Sequence, residues 1–348
     1  MRLMPSRSRV SLAVSTLLVA CASSPPPAAT PPSGRLRVTV SVDWEGAFLS
    51  DDGLAALGSL TKSHASVPIT HWICPAYFTK HVVDENVATR IRAAIRPIDE
   101  VAIHIHGWHS LVQAAGVEPK FGPSFLYEGD EILEFEDGDM GFEVDLSAYS
   151  EAEFRAVVRS AFDELKSAGF EVVRMFRGGA GILEPHNLDA LVAEGFRVDS
   201  SAIPTQFWRA EHSVPEKMRR RIHDVWGDLD DFAEPRWLDT KHGNLLEIPA
   251  PPGFADYSST AQLTAYVDAA AERLARSPSN DVYIHLAFHQ ETAHETSEVA
   301  PHRFAERIDR TLTHIAQHHG DVAEYELMSR VAIRYGAQLD AMDRGSSE

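Results

Sequence analysis

Three histidines within six residues form the part of the sequence best suited to chemistry. They are His104, His106 and His109, in the segment EVAIHIHGWHSL. Alternation along a strand places His104 and His106 on one face, and Gly107 permits a tight turn that can bring His109 back toward the same point. Three crowded imidazoles are costly when charged, and a divalent metal removes that cost. The spacing therefore predicts a metal site at the end of a strand.

Other predicted strands also end in polar side chains. Alternating valines in RLRVTVSVD predict a strand over 35–43, which runs into Asp43 and Glu45. These two carboxylates lie two residues apart, so in a straight strand they face the same site. Later strands end in, or carry, a cation, an acid and two imidazoles: Arg177, Asp199, His285 and His289. Such a rim holds metal ligands, a base, an acid and a cation, the groups that metal-assisted hydrolysis uses.

Strand and helix patterns alternate along most of the chain. Strands are predicted at 35–43, 67–74, 100–106, 171–176, 196–199, 245–249, 282–289 and 322–325. Helices are predicted between them, and one opens with the capping box of Ser150 and Glu153. About seven or eight such units predict a parallel sheet with helices outside, either a barrel or a doubly wound sheet. In both architectures function gathers at the carboxyl ends of the strands.

An acidic stretch near 118–146 interrupts this alternation. It combines acidic residues with Gly129, Gly138 and Gly141. A calcium loop is compatible with this composition, but the spacing does not fit the twelve-residue pattern. We therefore predict a solvated acidic loop inserted over the top of the domain.

The overall composition restricts the class of partner. The chain has 348 residues, 44% of them hydrophobic, which suffices for one large α/β domain. With 32 Lys and Arg against 51 Asp and Glu, the formal charge is −19, which argues against nucleic acid or an anionic membrane surface as the main partner. The cysteines are Cys21 and Cys74, so once Cys21 is lipidated no disulfide and no cysteine metal cluster can form within the domain.

The amino terminus has the pattern of a bacterial lipoprotein signal. Three arginines precede an apolar run over 10–20, and Leu18-Val19-Ala20-Cys21 resembles a lipoprotein cleavage site. The apolar run is too short to span a bilayer. We predict a signal peptide over 1–20, a Pro/Ser/Ala tether over 21–34 and a catalytic domain over 35–340. The lipid on Cys21 would be the membrane attachment, in the periplasm, at the outer membrane or on the cell surface.

Five segments together resemble the polysaccharide deacetylase family, carbohydrate esterase family 4. They are SVDWEG, EVAIHIHGWHSL, MFRGGAGI, GFRVDSSAIP and YIHLAFHQE, and the resemblance spans about 35–335. It implies a distorted (β/α)7-type barrel that hydrolyses acetamides on N-acetylated sugars, or occasionally ester acetyls. The implied substrate is an acetylated polysaccharide of the cell envelope or the extracellular space.

For the metal, the resemblance implies one divalent ion held by a carboxylate and two histidines. Zn²⁺ is the first choice, with Co²⁺, Ni²⁺ and Mn²⁺ as alternatives. The family's metal-binding aspartate falls on Trp44 here, and Glu45 is the nearest carboxylate that can replace it. His104 matches the first histidine. His109 matches the second but lies one residue further away than usual, while His106 is closer in strand geometry, so the choice stays open.

For catalysis, the resemblance assigns three roles and one structural position. Asp43 stands where the base belongs, and Arg177 matches the arginine that orients the base. His289 matches the histidine that serves as general acid toward the leaving amine. Asp199 matches an acidic residue expected to be structural.

Three alternatives remain open at the level of the sequence. A glycoside hydrolase on a related barrel would need two carboxylates across the bond, Asp43 with Asp199 or Glu291. Another metal-dependent amidohydrolase would use the same rim. A carbohydrate-binding lipoprotein that has lost catalysis is the third, because the first motif departs from the family's pattern.

Overall fold

Strands and helices alternate through the computed structural model, which describes residues 34–81, 84–129, 132–205, 214–250, 252–297 and 302–339. The strands are β1 (Leu36–Trp44), β2 (Ile69–Ile73), β3 (Glu100–Ile105), β4 (Val172–Gly178), β5 (Val198–Asp199), β6 (Arg236–Thr240), β7 (Gly243–Glu247), β8 (Gly253–Phe254), β9 (Val282–His289) and β10 (Ala323–Tyr325). The helices are α1 (Asp51–Ser63), α2 (Val87–Ala94), α3 (His109–Ala114), α4 (Glu151–Ser167), α5 (Pro185–Ala193), α6 (Glu216–Trp226), α7 (Thr260–Arg276), α8 (Phe304–His318) and α9 (Met328–Arg334).

The described strands form one curled sheet in the order β6-β7-β5-β4-β3-β2-β1-β9-β8, with β10 added beside β1. Every pair is parallel except the β6–β7 hairpin. The order is a path from β6 to β8 rather than a ring, so the barrel is incomplete among these strands. This architecture confirms the predicted distorted (β/α)7-type barrel.

The central strand is β1, and all nine of its residues are buried. Its neighbours β2 and β9 run parallel to it. In this register Asp43 lies opposite Trp72 on β2 and opposite His289 on β9. The carboxyl ends of β1 and β9 therefore meet at one point, as parallel strands require.

Helix caps follow the sequence signals. The Ser150 hydroxyl accepts from the backbone N–H of Glu153, whose carboxylate accepts from the Ser150 backbone N–H at 2.8 Å. The capping box predicted for α4 is therefore confirmed. Gly169, just after α4, has a φ of +83°, a conformation that glycine adopts without strain.

Helices α3 and α6 and strands β6 and β8 were not anticipated from the sequence pattern. Helix α6 buries only Met218 and Ile222, and such a thin apolar stripe is hard to recognise. The β6 strand is half exposed, and Trp237 leaves 44% of its surface in solvent. Helix α3 starts at His109, so the chain continues into a helix there instead of turning back.

The acidic insertion is less solvated than predicted. Asp139, Glu143 and Asp145 are buried, with at most 3% of their surface exposed. Asp139 accepts from the backbone N–H of Ser110 at 3.1 Å, and Asp145 pairs with Arg221 at 2.7 Å. The prediction of a solvated acidic loop is wrong for these three residues, because Asp139 and Asp145 bind residues outside the insertion and Glu143 accepts from the Leu133 N–H within it.

The membrane predictions fall almost wholly outside this description. The signal peptide over 1–20, Cys21 and the tether up to residue 33 lie outside the described residues. Among the helices that the structure does describe, none combines the length and the apolar character needed to cross a membrane. The lipid anchor therefore stays a prediction.

Candidate metal centre and active site

Glu45, one residue beyond β1, lies among three histidine side chains. Its Oε2 is 2.6 Å from Nε2 of His106, and its Oε1 is 3.4 Å from Nε2 of His104 and 3.2 Å from Nε2 of His289. His104 and His106 come from the end of β3 and His289 from the end of β9. One ligand atom from each of Glu45, His104 and His106 lies within 4.8 Å of the others.

The hydrogen bonds of His104 and His106 define the tautomer of each ring, and so which ring nitrogen carries the lone pair. Nδ1 of His104 lies 3.0 Å from the carbonyl oxygen of Arg177, and Nδ1 of His106 lies 2.8 Å from that of Phe142. A carbonyl only accepts, so each ring donates from Nδ1 and, when neutral, carries its lone pair on Nε2. Both lone pairs then face the Glu45 carboxylate.

This donor set fits a divalent metal. Two imidazole lone pairs and a carboxylate repel one another unless a cation or protons lie between them. Nε2 of His104 is buried and has no hydrogen-bond partner within the described part of the chain. The backbone carbonyls behind each ring fix its tautomer and orientation, as they do at protein metal sites. Glu45, His104 and His106 are thus the residues able to hold an ion.

The charges of the cluster shift two pKa values. Burial favours neutral Glu45, but the positive charges of His106 and His289 outweigh it and hold the pKa of Glu45 well below its ordinary value. Burial disfavours protonated His104, but its contact with Glu45 outweighs this and raises the pKa of His104. Both shifts favour charged forms of Glu45 and His104 that attract each other across the cluster.

His109 is not brought to this cluster. Its Nε2 lies 2.8 Å from the carbonyl oxygen of Lys120, and its ring packs on the edge of Phe121 at 4.8 Å between centroids. The helix that starts at His109 carries this side chain to the acidic insertion instead. Of the two alternatives left open by the sequence, the geometry favours His106 as the second histidine.

Asp43 and Arg177 form a buried ion pair beside the cluster. Oδ1 of Asp43 lies 2.6 Å from Nη1 of Arg177, and each side chain is only 3% exposed. The guanidinium also donates to the hydroxyl of Ser41 at 3.0 Å and to the carbonyl of Ser200 at 3.1 Å, and it lies over the ring of Trp72. These contacts fix the orientation of Asp43 at the rim, as the roles of base and orienting arginine require.

His289 is held by a carboxylate on its far side. Its Nδ1 lies 3.1 Å from Oδ1 of Asp256, while its ring stacks on Phe254 at 5.1 Å between centroids. Burial favours the neutral ring, but the charges of Asp256 and Glu45 outweigh it and raise the pKa of His289 to about 10. His289 is therefore protonated at neutral pH, the state that a general acid needs.

Asp256 is a site residue that the sequence pattern did not reveal. It follows β8, which has only two residues, so no strand signal marks the position. The available clue was an aspartate in the segment GFAD, shortly after a short apolar run.

Glu291, two residues beyond β9, contacts the backbone of Glu45. Its Oε1 accepts from the backbone N–H of Glu45 at 2.9 Å and from the hydroxyl of Tyr77. Burial, reinforced by the charge of Glu45, raises the pKa of Glu291 to about 8. A neutral carboxyl group here positions the Glu45 backbone rather than attacking a substrate.

The remaining predicted rim residues, Asp199 and His285, lie behind the site. Asp199 is fully buried beside Glu247, and burial raises the pKa of Asp199 to about 6. Burial and the charge of Arg177 lower the pKa of His285 to about 3, so this ring is neutral. Neither lines the cavity over Glu45, and the structural role expected for Asp199 is consistent with its position.

A cavity of about 520 Å³ opens over the cluster. Its wall is largely apolar and includes Phe125, Phe142, Ile203, Met218, Phe254 and Phe304. Several of the hydroxyls in the wall already have protein partners. Ser201 donates to Asp199 at 2.7 Å, and Thr292 donates to Asp256 at 2.6 Å.

Comparisons with known proteins identify this arrangement as a known fold. No family model matches the sequence, and no curated protein matches it. Among solved structures, a proposed polysaccharide deacetylase from Mycobacterium smegmatis is 14% identical with a TM-score of 0.52, over 90% of this chain and 94% of that chain. The chain has the polysaccharide deacetylase fold. The resemblance predicted from the five segments is therefore confirmed at the level of the fold.

The polysaccharide deacetylase fold does not by itself select the substrate. Puue allantoinase superposes with a TM-score of 0.51 at 12% identity, over 88% of this chain and 94% of that chain. Since a proposed deacetylase and an allantoinase share the architecture, function has to be argued from the residues of the site.

Proposed function

We propose that this chain is a metal-dependent hydrolase that removes acetyl groups, N-acetyl in the first place, from a cell-envelope or extracellular polysaccharide. The observation that carries the proposal is the convergence of three groups of side chains at one rim. They are the Glu45–His104–His106 cluster, the Asp43–Arg177 pair and the His289–Asp256 pair. The resemblance implied these residues apart from Asp256, with Glu45 in place of an aspartate and with the choice between His106 and His109 left open; the contact between His289 and Asp256 comes from the structure.

Glu45, His104 and His106 would hold one divalent ion. Mixed nitrogen and oxygen ligands make Zn²⁺ the first choice, with Co²⁺, Ni²⁺ or Mn²⁺ as alternatives. A bound divalent cation polarises a carbonyl and lowers the pKa of water. Ligand atoms of Asp43, Glu45 and His289 also converge, but Asp43 is engaged by Arg177 and His289 by Asp256, which favours the first set.

Asp43 and His289 would handle the protons. Asp43, held by Arg177, would accept a proton from the attacking water. His289 would then donate from Nε2 to the leaving amine, because Asp256 holds Nδ1 and keeps the ring protonated. Acid–base assistance of this kind contributes roughly 10²–10⁴ to a rate.

A second candidate function is favoured by the apolar wall of the cavity. A sugar ring that entered it fully would leave hydroxyls without partners, at a cost in free energy for each. A compact amide with an apolar substituent would instead bury that substituent against Phe142 and Phe254. Another metal-dependent amidohydrolase activity is therefore the alternative. A glycosidase is disfavoured because Asp199 does not line the cavity and because the Glu291 carboxyl group accepts from the Glu45 N–H and the Tyr77 hydroxyl.

Product analysis tests the proposal. The chain lacking residues 1–20 would be stripped of metal, reloaded with Zn²⁺ and incubated with N- and O-acetylated glycans and with small N-acyl amines. Acetate released from glycans supports deacetylation. Cleavage of the small amides alone selects the second candidate, sugar release without acetate selects a glycosidase, and bound metal without turnover leaves a binding protein.

A further inference from the structure

A second cluster of metal-ligand side chains lies between helices α7 and α8, outside the site described above. Oδ1 of Asp268, on α7, is 2.7 Å from Nε2 of His314 on α8 and 2.7 Å from Nε2 of His319. One ligand atom from each of these three residues lies within 4.8 Å of the others. Both imidazoles therefore contact the same carboxylate oxygen.

The end of helix α8 brings these histidines together. His314 and His319 are five residues apart, which on a regular helix separates them by about 140° around the axis. His319 is the C-cap, with φ −136° and ψ 13°, so the chain has left the helical path there. His318, four residues after His314, lies on the same helix face, with its ring 4.6 Å from that of His314.

The surroundings suit a cation that enters from solvent. The side chains of His314, His319 and Asp268 are 23%, 18% and 49% exposed, so an ion can reach them and keep part of its water shell. The carboxyl-terminal end of helix α8 adds negative potential through the helix dipole.

The apolar face of α8 is made by other residues. Ile308, Leu312 and Ile315 are buried in the core. Helix α8 is therefore packed without help from the histidines, and the cluster does not need a metal in order for the helix to dock.

We propose that Asp268, His314 and His319 form a second divalent metal site, suited to Zn²⁺, Cu²⁺ or Ni²⁺. An ion bound there would connect α7 to α8. Two imidazoles and one carboxylate are the ligands that these ions share, and water or His318 would complete the coordination. This site is independent of the proposed deacetylase activity and of the Glu45 cluster.

Counting metal ions on the untagged chain lacking residues 1–20 tests the proposal. The protein would be stripped with a chelator and titrated with ZnCl₂ by calorimetry, with zinc per chain measured after gel filtration. We expect two Zn²⁺ in the unaltered chain, one in His314→Ala and one in His319→Ala. Asp268→Asn should weaken this second site by a factor of at least ~10 while leaving the rest of the fold unchanged.

Two matched variants make the result specific. His302→Ala removes a partly exposed histidine near the other end of α8, next to Glu306, and should still bind two ions. Glu45→Gln should bind one, and Glu45→Gln with His314→Ala should bind none. If His314→Ala and His319→Ala, shown by circular dichroism to be folded, each bind as many ions as the unaltered chain, the proposal is overturned.

Discussion

At the scale of single residues, Glu45 is the centre of the candidate site because it contacts three imidazoles at once. Its position is consistent with the prediction that Glu45 takes the place of the family's metal-binding aspartate. Trp44 points into the core, where its indole N–H lies 3.1 Å from Nδ1 of His71, so Trp44 serves packing instead of metal binding. The longer side chain of Glu45 reaches the histidines from one residue further along.

The choice between His106 and His109 can be tested by metal content. We expect His106→Ala to lose the ion of the Glu45 cluster, because His106 makes the shortest contact with that carboxylate, at 2.6 Å. His109→Ala should retain it, because its Nε2 is bonded to the Lys120 carbonyl. Zinc per chain in a His314→Ala background, which removes the proposed second site, is the measurement. Loss of zinc in His109→Ala with retention in His106→Ala would reverse the assignment.

Asp256 should set the basic limb of the pH profile. Its charge helps to raise the pKa of His289 to about 10, and His289 has to be protonated to act as an acid. Activity should therefore fall as the pH rises through the pKa of His289, which lies lower once a cation offsets the charge of Glu45. Asp256→Asn should move this limb toward lower pH, while the metal content stays unchanged. If activity falls at the same basic pH in Asp256→Asn and in the unaltered chain, deprotonation of His289 is not the cause of the fall.

At the scale of the elements, the site follows from which strand ends meet. Strands β1 and β9 were predictable from the sequence, because β1 has alternating valines and β9 has a long apolar run. The positions of Asp43 and His289 at the ends of these strands were therefore predictable too. Helix α6 and strand β8 could not be predicted, because one has a thin apolar stripe and the other has two residues. The contact between Asp256 and His289 was missed because Asp256 follows the two-residue strand β8.

Strands β5 and β7 place two carboxyl groups side by side, and this pair should make stability depend on pH. Asp199 and Glu247 are paired in register and fully buried. Burial raises the pKa of Asp199 to about 6, and burial with the charge of Asp199 raises the pKa of Glu247. A carboxyl whose folded pKa is raised favours folding below its unfolded pKa, and this contribution is lost as the pH rises through the folded pKa.

Glu247→Gln should therefore stabilise the fold at pH 8. Its amide oxygen can keep the bond from the Ala202 N–H, at 2.9 Å, while its NH₂ donates to Asp199. We expect a gain on the order of 1–3 kcal/mol at pH 8 relative to pH 4, measured by urea unfolding. The exposed Glu171→Gln is the control and should show no such difference. Equal pH dependence in Glu247→Gln and in the unaltered chain would contradict this account of the pair.

At the scale of the whole molecule, the acidic composition and the amino-terminal segment bear on where the protein resides. The full chain has a formal charge of −19, which disfavours contact with anionic surfaces unless the chain is anchored. The lipoprotein pattern at 18–21 offers such an anchor, and the Pro/Ser/Ala tether would hold the domain above the membrane.

The native amino terminus checks this prediction directly. We expect mass spectrometry of the membrane fraction to show a chain that begins at Cys21 and carries lipid. Cys21→Ser should abolish the modification and leave the domain folded. An unmodified Cys21, or cleavage at another position, would contradict the predicted lipid anchor.

We propose that a metal held by Glu45, His104 and His106 acts together with the base Asp43 in deacetylation. The most direct test measures acetate release and zinc per chain on the same preparations of the unaltered chain and of Asp43→Asn. We expect the unaltered chain to release acetate only after zinc is restored. Asp43→Asn should keep its zinc, and its turnover should fall by a factor of roughly 10²–10⁴. Acetate release that persists in the metal-free chain, or near-normal turnover in Asp43→Asn, would contradict this proposal.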